Sequence, residues 1–505
     1  MMHSRREFLT TGLTAVASAL PAIGAAQERE GRPQLPGLTI RQGSDLIRSG
    51  ELSPIELTEA CLMRIDALNA SLNAFITIAR DTALEAAREL ETELRGGNWR
   101  GPLHGIPVAL KDNIDTAGIL TTAGSALFAD RAPAEDAYVV ERLKKAGAIV
   151  IGKLNLHEFA LGGTSAINHV GPVHNPWALD HHPGGSSGGN AAAIAADLCL
   201  GSLGTDTGGS IRIPASYCGT VGLKPTYGRV SNRGVIPNSW TFDTVGPMCK
   251  TVEDAALMLS VIAGYDELDP SSVDEPVPDY GRAIGARVSN LRLGVPRNPF
   301  FEDLEPEVAE AVGAALAVLR ALTAEVRELE IPPSPGLGLS SAEIYAYHAP
   351  WITESPELYQ DPTRRIVQAG ADSRADVYAQ ELRRVTLARR EIMKSFASVD
   401  LLITPTTGGT AGLIPDPVAA PRAGDAPAGG GEARRGSGPS GFRNTSYFSF
   451  YGLPAISVPC GFTTRGLPIG LQISGAPLAE SGVFALAHAY EQATEWHRQR
   501  PRALL

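Results

Sequence analysis

The chain predicts an α/β fold, a mixed β-sheet covered by helices on both faces. Two observations predict it. Short apolar runs broken by glycine and proline alternate with amphipathic helical stretches along the sequence. The 505 residues, 43% hydrophobic and 20% charged, are enough for a sizeable core.

The elements follow in order. Ser4-Arg5-Arg6-Glu7-Phe8-Leu9 has a twin-arginine pattern, followed by an apolar run from Leu13 to Ile23 and the small residues Gly24-Ala25-Ala26. That run is shorter than the roughly 20 residues a bilayer span needs. Residues 1–26 therefore read as an export signal, which predicts a periplasmic or secreted protein. Residues 27–505 are expected to form a single domain, with the informative motifs at about 100–260. Gly37 to Leu94 reads as helical, with Ser53-Pro54-Ile55-Glu56 as a helix start and a second helix from Asp81 that Gly96-Gly97 ends. Ile106 to Leu110 and Ala148 to Gly152 read as strands. Ala137 to Lys145, Asn190 to Cys199 and Glu305 to Leu322 read as helices. Pro415 to Gly441 is rich in proline and glycine and nearly free of large apolar residues, so it reads as a mobile surface loop.

Composition removes whole classes of function. A net charge of −11 disfavours a nucleic-acid partner, which needs a basic face. Five scattered cysteines form no C-x-x-C pair and are expected to be buried, reduced thiols. No stretch after the signal is apolar enough for a stable membrane insertion. Monomer and homodimer both stay open.

Three features carry chemistry. Gly208-Gly209-Ser210 puts a serine after two residues that permit positive φ, so neighbouring N–H groups can converge on a developing oxyanion. Taken alone it is equally a phosphate nest or a tight turn. Gly184-Gly185-Ser186-Ser187-Gly188-Gly189 runs into a helix and has the look of an anion-binding loop, but lacks the Walker A lysine and the G-x-G-x-x-G order. Lys111 ends an apolar strand, where burial favours the neutral amine and hence a base.

Pro183 to Ser231, Leu103 to Asn113, and Gly452 to Pro459 with Gly466 to Gln472 together resemble the amidase signature family. The resemblance extends from about Thr39 to His497. It implies the amidase signature fold and a Ser–Ser–Lys triad. In that triad Ser210 is the nucleophile, Ser186 the serine after a cis peptide bond, and Lys111 the base. It further implies an oxyanion hole from the amides of Thr207, Gly208 and Gly209, a supporting salt bridge between Asp206 and Arg212, and no metal or organic cofactor. A serine–histidine triad drawing on His104, His169, His174, His181 or His182 is the competing arrangement.

The resemblance names a bond class, with a small-molecule amide as substrate. An amidohydrolase working through a Ser210 acyl-enzyme is expected. A carbamate (urethane) or aryl acylamide hydrolase on the same site, a glutamine amidotransferase subunit of the tRNA-dependent type, and a non-catalytic binding protein are the alternatives. Tyr345 and Trp351, beside Tyr347 and His348, and Phe448 and Tyr451, beside Phe442, Tyr447 and Phe450, either line a substrate pocket or belong to the core.

Overall fold

The computed structural model describes residues 36–334, 336, 338–415 and 441–501. The export signal and nearly all of the Pro415 to Gly441 loop lie outside the described residues.

Eleven strands form one mixed sheet. They are β1 Phe75–Ile78, β2 Pro107–Lys111, β3 Ile149–Leu154, β4 Gly201–Asp206, β5 Val221–Lys224, β6 Thr244–Cys249, β7 Arg292–Pro296, β8 Glu325–Leu329, β9 Leu401–Pro405, β10 Ala455–Phe462 and β11 Pro468–Gly475. Their order across the sheet is β1-β3-β2-β4-β6-β5-β10-β11-β9-β7-β8. Parallel pairs sit towards the two ends (β3/β2/β4 and β9/β7/β8), and antiparallel pairs run through the middle from β4 to β9. The last two strands in the chain insert between β5 and β9, so the centre of the sheet is closed by its C-terminal end.

Helices cover both faces. Gly201 of β4 lies against Met258 of the Val252–Ile262 helix, whereas Gly204, three residues on, lies against Ser187 and Ile211 on the opposite side. Most strands are correspondingly buried along their whole length.

Local rules account for most boundaries. The Pro54–Leu72 helix starts on a capping box: Ser53 Oγ accepts from the amides of Ile55 and Glu56 at 3.1 Å, and Glu56 returns a carboxylate to the Ser53 amide at 3.1 Å. The expected helical stretch from Gly37 to Leu94 is divided into Ile40–Ser49, Pro54–Leu72 and Arg80–Arg95, with β1 before the last. Asn73 breaks it by taking a left-handed conformation, and Asn69 then bonds both backbone groups of Phe75, turning the chain into an extended run. The Asn190 to Cys199 helix instead spans Gly188–Ala195. It opens inside the glycine cluster, and Asp197, at φ +59°, turns the chain towards β4. The strand expected to stop at Leu110 continues one residue, making Lys111 part of β2.

All five cysteines are free and buried. Among the described residues no helix is long and apolar enough to cross a membrane, and no group of three or more His, Cys, Asp or Glu residues could hold a metal ion.

Candidate active site

β2 and β4 run parallel and adjacent, with Leu110 opposite Leu203. Lys111 therefore ends its strand inside the molecule, with no exposed surface. Its Nζ lies 2.7 Å from Ser186 Oγ and 2.7 Å from Thr205 Oγ1. Burial pulls its pKa down to about 7, against the opposing pull of Asp243 and Asp206. Near neutral pH the amine is thus poised between proton donor and acceptor.

The first glycine loop presents Ser186. The Gly185–Ser186 peptide is cis. The Ser186 carbonyl accepts from the His157 amide at 3.2 Å and from Ser165 Oγ at 3.0 Å. A Cβ on Gly185 would come within 2.8–2.9 Å of the backbone at Gly163, Thr164 and Ser165, so only glycine fits there. Ser187 is a clamp: its hydroxyl donates to the Thr205 carbonyl at 3.2 Å and its amide to the Ser210 carbonyl at 3.1 Å. The second bond joins the two loops and sets Ser186 beside the segment carrying Ser210.

The second loop follows β4 directly. Gly209 has φ +143°, and any side chain there would collide with Thr445. Thr445 Oγ1 donates to the Gly208 carbonyl at 2.6 Å, and Thr207 Oγ1 donates to Asp243 Oδ1 at 2.5 Å. Among the described residues, the amides of Thr207, Gly208 and Gly209 donate to no protein acceptor. The loop is held from both sides, and these three amides remain free to donate.

Arg212 anchors this loop and is itself wholly buried. Its five N–H donors are all used: two on Asp206 (2.8 and 3.0 Å), and one each on the Thr445 carbonyl, Gln472 Oε1 and Ser449 Oγ, all at 2.8 Å. Burial would raise the Asp206 pKa, but the guanidinium outweighs it and holds the carboxyl below its usual range. The ion pair expected between these two residues is present.

The histidines are engaged elsewhere. His104 Nε2 meets the Leu90 carbonyl at 3.0 Å, His174 Nδ1 the Leu179 carbonyl at 2.6 Å, and His181 Nδ1 Asp180 at 2.6 Å, while His182 Nδ1 accepts from the Gly184 amide at 3.1 Å. The His169 amide bonds the Gly124 carbonyl at 2.7 Å.

The aromatic candidates separate. Phe448 and Tyr451 are core: both are buried in a cluster with Phe300, Ile392 and Leu402, and the Tyr451 hydroxyl donates to the Pro332 carbonyl. Tyr345 and Trp351 are half-buried around a second cluster, with Trp351 edge-on to Phe128 at 5.3 Å. Phe442 belongs to neither cluster. A Cβ on Gly163 would lie 2.6 Å from its ring, and it packs with Ile213, Tyr217 and Ala411. Tyr217 lies against Gly184 and Ile213 against Gly209, so this cluster packs against both glycine loops. Thr205 and Asp243 are not among the residues the sequence points to. Thr205 has a signal, since it lies inside the second glycine cluster on the strand beside Lys111. Asp243 has none, being 36 residues from its partner.

With this geometry in place, four likenesses become informative. The family model "Amidase" matches residues 56–484. The chain belongs to the amidase family. It is 41% identical over 480 residues to an amidase of Pseudomonas putida, covering 92% of this chain and 98% of that one. It is 40% identical over 495 residues to a glutamyl-tRNA(Gln) amidotransferase subunit of Moorella thermoacetica, with the same coverages. The solved structure of a peptide amidase in complex with the competitive inhibitor chymostatin superimposes with a TM-score of 0.80 at 31% identity, covering 92% of this chain and 99% of the other. The amidase signature fold is thus shared over nearly the whole described chain.

Proposed function

We propose that this amidase-family chain is an amide hydrolase working through a Ser210 acyl-enzyme. The observation that carries the reading is the 2.7 Å approach of Lys111 Nζ to Ser186 Oγ in a fully buried site. Neutral Lys111 accepts the Ser186 proton while Ser186 accepts that of Ser210. Ser210 Oγ attacks the substrate carbonyl, and the oxyanion rests on the amides of Thr207, Gly208 and Gly209. As the C–N bond breaks, the relay returns a proton to the leaving amine. Water then enters, loses a proton by the same route, and frees the acid. Asp206 and Arg212 support the loop without touching substrate.

Phe442, partly exposed on the apolar cluster that packs against both glycine loops, supports an uncharged small molecule with an apolar or aryl group. Aryl acylamides and aryl carbamates are therefore the substrates to try first. The twin-arginine pattern at Ser4 to Leu9 supports export, with a mature protein from about Gln27. A second reading, one component of an amidotransferase, is favoured by the 40% identity to the Moorella protein.

One experiment decides. Purified protein is offered an aryl acylamide, a primary amide, a peptide amide and an aryl carbamate, each beside Ser210→Ala. Hydrolysis by the isolated chain that vanishes in the variant supports the hydrolase. Turnover only of glutamine, and only with partner chains, sinks it in favour of the amidotransferase component.

A further inference from the structure

We propose that Asp243 is a positioning residue for this reaction: it fixes Thr207, and with it the oxyanion amides, and it supplies a carboxylate without an ion-pair partner among the described residues at the sheet edge that carries Lys111. The inference rests on the hydrolytic reading above.

The placement comes from strand register. β2, β4 and β6 are neighbours in the sheet, and Asp206 pairs with Thr244 across β4 and β6. Residue 243 therefore lies opposite residue 207 at the same edge to which β2 brings Lys111. Asp243 is 5% exposed. Its carboxylate accepts from Thr207 Oγ1 at 2.5 Å, the Asn238 amide at 2.8 Å and the Ser239 amide at 2.9 Å. All three donors are neutral, and among the described residues Asp243 makes no ion pair.

That isolation needs an explanation, because a buried carboxylate without a cation is costly. The contrast with Asp206 supplies one. Asp206 is equally buried but is matched by Arg212 at 2.8 Å, and its pull on Lys111 is weaker than that of Asp243. The other titratable group acting on this site, His157, is held neutral by burial and by Lys111 and His182. Asp243 is the stronger of the two anions acting on Lys111, where it favours the ammonium that forms when the base takes its proton. Burial pushes the Asp243 carboxyl up to about 6, with Glu343 of the Gly338–Glu354 helix adding to the rise and the three donors opposing it. Glu343 is itself occupied by Ser239, Thr241 and Tyr378. The carboxylate is thus mostly ionised at pH 7, in step with the lysine it faces.

The test is the pH profile of kcat/KM for the wild type, Asp243→Asn, Asp243→Glu and Thr207→Val on one hydrolysed amide. Asp243 borders a cavity of about 630 Å³, so the longer glutamate has room. In Asp243→Asn, kcat should fall about 10- to 100-fold with KM little changed. The rising limb should move to lower pH by about half a unit or more, because removing an anion favours the neutral amine. Asp243→Glu should restore the limb. Thr207→Val should lower kcat without moving it. A limb unmoved in Asp243→Asn, or moved equally by Thr207→Val, overturns the assignment. If Asp243→Asn does not fold, unchanged kcat in Thr207→Val overturns it alone. Wild-type turnover that survives Ser210→Ala removes the hydrolytic reading instead, whatever the limb does.

Discussion

The segment carrying Ser210 and the Ala375–Glu391 helix lie at opposite extremes of burial in one chain. From Gly201 to Cys218 every residue is buried, including Arg212 and Thr205, whose hydroxyl meets Lys111. In the 17-residue Ala375–Glu391 helix only Val385 is buried, and Leu387 is 52% exposed. The first region is specified by long-range polar contacts that leave no freedom to its side chains. The second buries only Val385 and is otherwise tied down by a few partly exposed contacts, among them Tyr378 to Glu343 and Arg389 to the Phe450 and Thr241 carbonyls. Reaction chemistry needs the first kind of environment, since pre-oriented groups in a dry site are what accelerate acyl transfer. Surfaces of the second kind can drift without touching it.

The sharpest attack on this contrast is Ser210→Ala, which should cut turnover at least about 10⁴-fold while leaving the unfolding free energy within about 0.5 kcal/mol. A large loss of stability in that variant would mean the nucleophile is a packing residue. Lys111→Ala should cost nearly as much turnover. In the wild type, kcat/KM should rise with pH through about 7, because the relay uses the neutral amine and protonation below that value removes it. A flat profile from pH 5 to 9 would exclude Lys111 as the base.

Arg212→Met comes next: stranding the Asp206 carboxylate should destabilise the fold by about 3–5 kcal/mol in chemical denaturation. Two phenylalanines of one helix refine the comparison further. Phe448→Ala should lose about 3–5 kcal/mol of stability as a core cavity. Phe442→Ala should leave stability nearly intact and raise KM for apolar amides about tenfold, a split that steady-state kinetics beside a melting curve will show. At the far end, Leu387→Ser should change neither measurement by more than about 0.5 kcal/mol.

The sequence makes some of this legible because some of it is local. Capping at Ser53, the β2 run into Lys111 and the two glycine clusters depend on neighbours a few residues apart, and each is visible in order. The aromatic segment is ambiguous for a physical reason. Phe442 and Phe448 lie on one helix, Gly441–Phe450, and only the packing of Phe300 and Leu402 on one side decides which ring is core. β1 is hidden because its four residues follow a helix without proline or glycine, and the left-handed turn at Asn73 that ends the helix is a minority behaviour of asparagine. Thr205, Thr445, Gln472 and Asp243 could not be assigned roles, since their partners are 36 to 260 residues away and sequence spacing carries no record of that distance.

The reach of Arg212 has a consequence for how the protein comes into being. Its partners are gathered from positions 206, 445, 449 and 472, and the strand carrying the last of these is laid into the middle of the sheet. A growing chain that has already made both serines and the lysine still lacks the acceptors that hold the loop, and such non-local closures come late in folding. On the proposed hydrolytic reading, competence to cleave therefore waits until residues 445 to 472 have been made, and a chain truncated before them carries the proposed catalytic residues in an unassembled form.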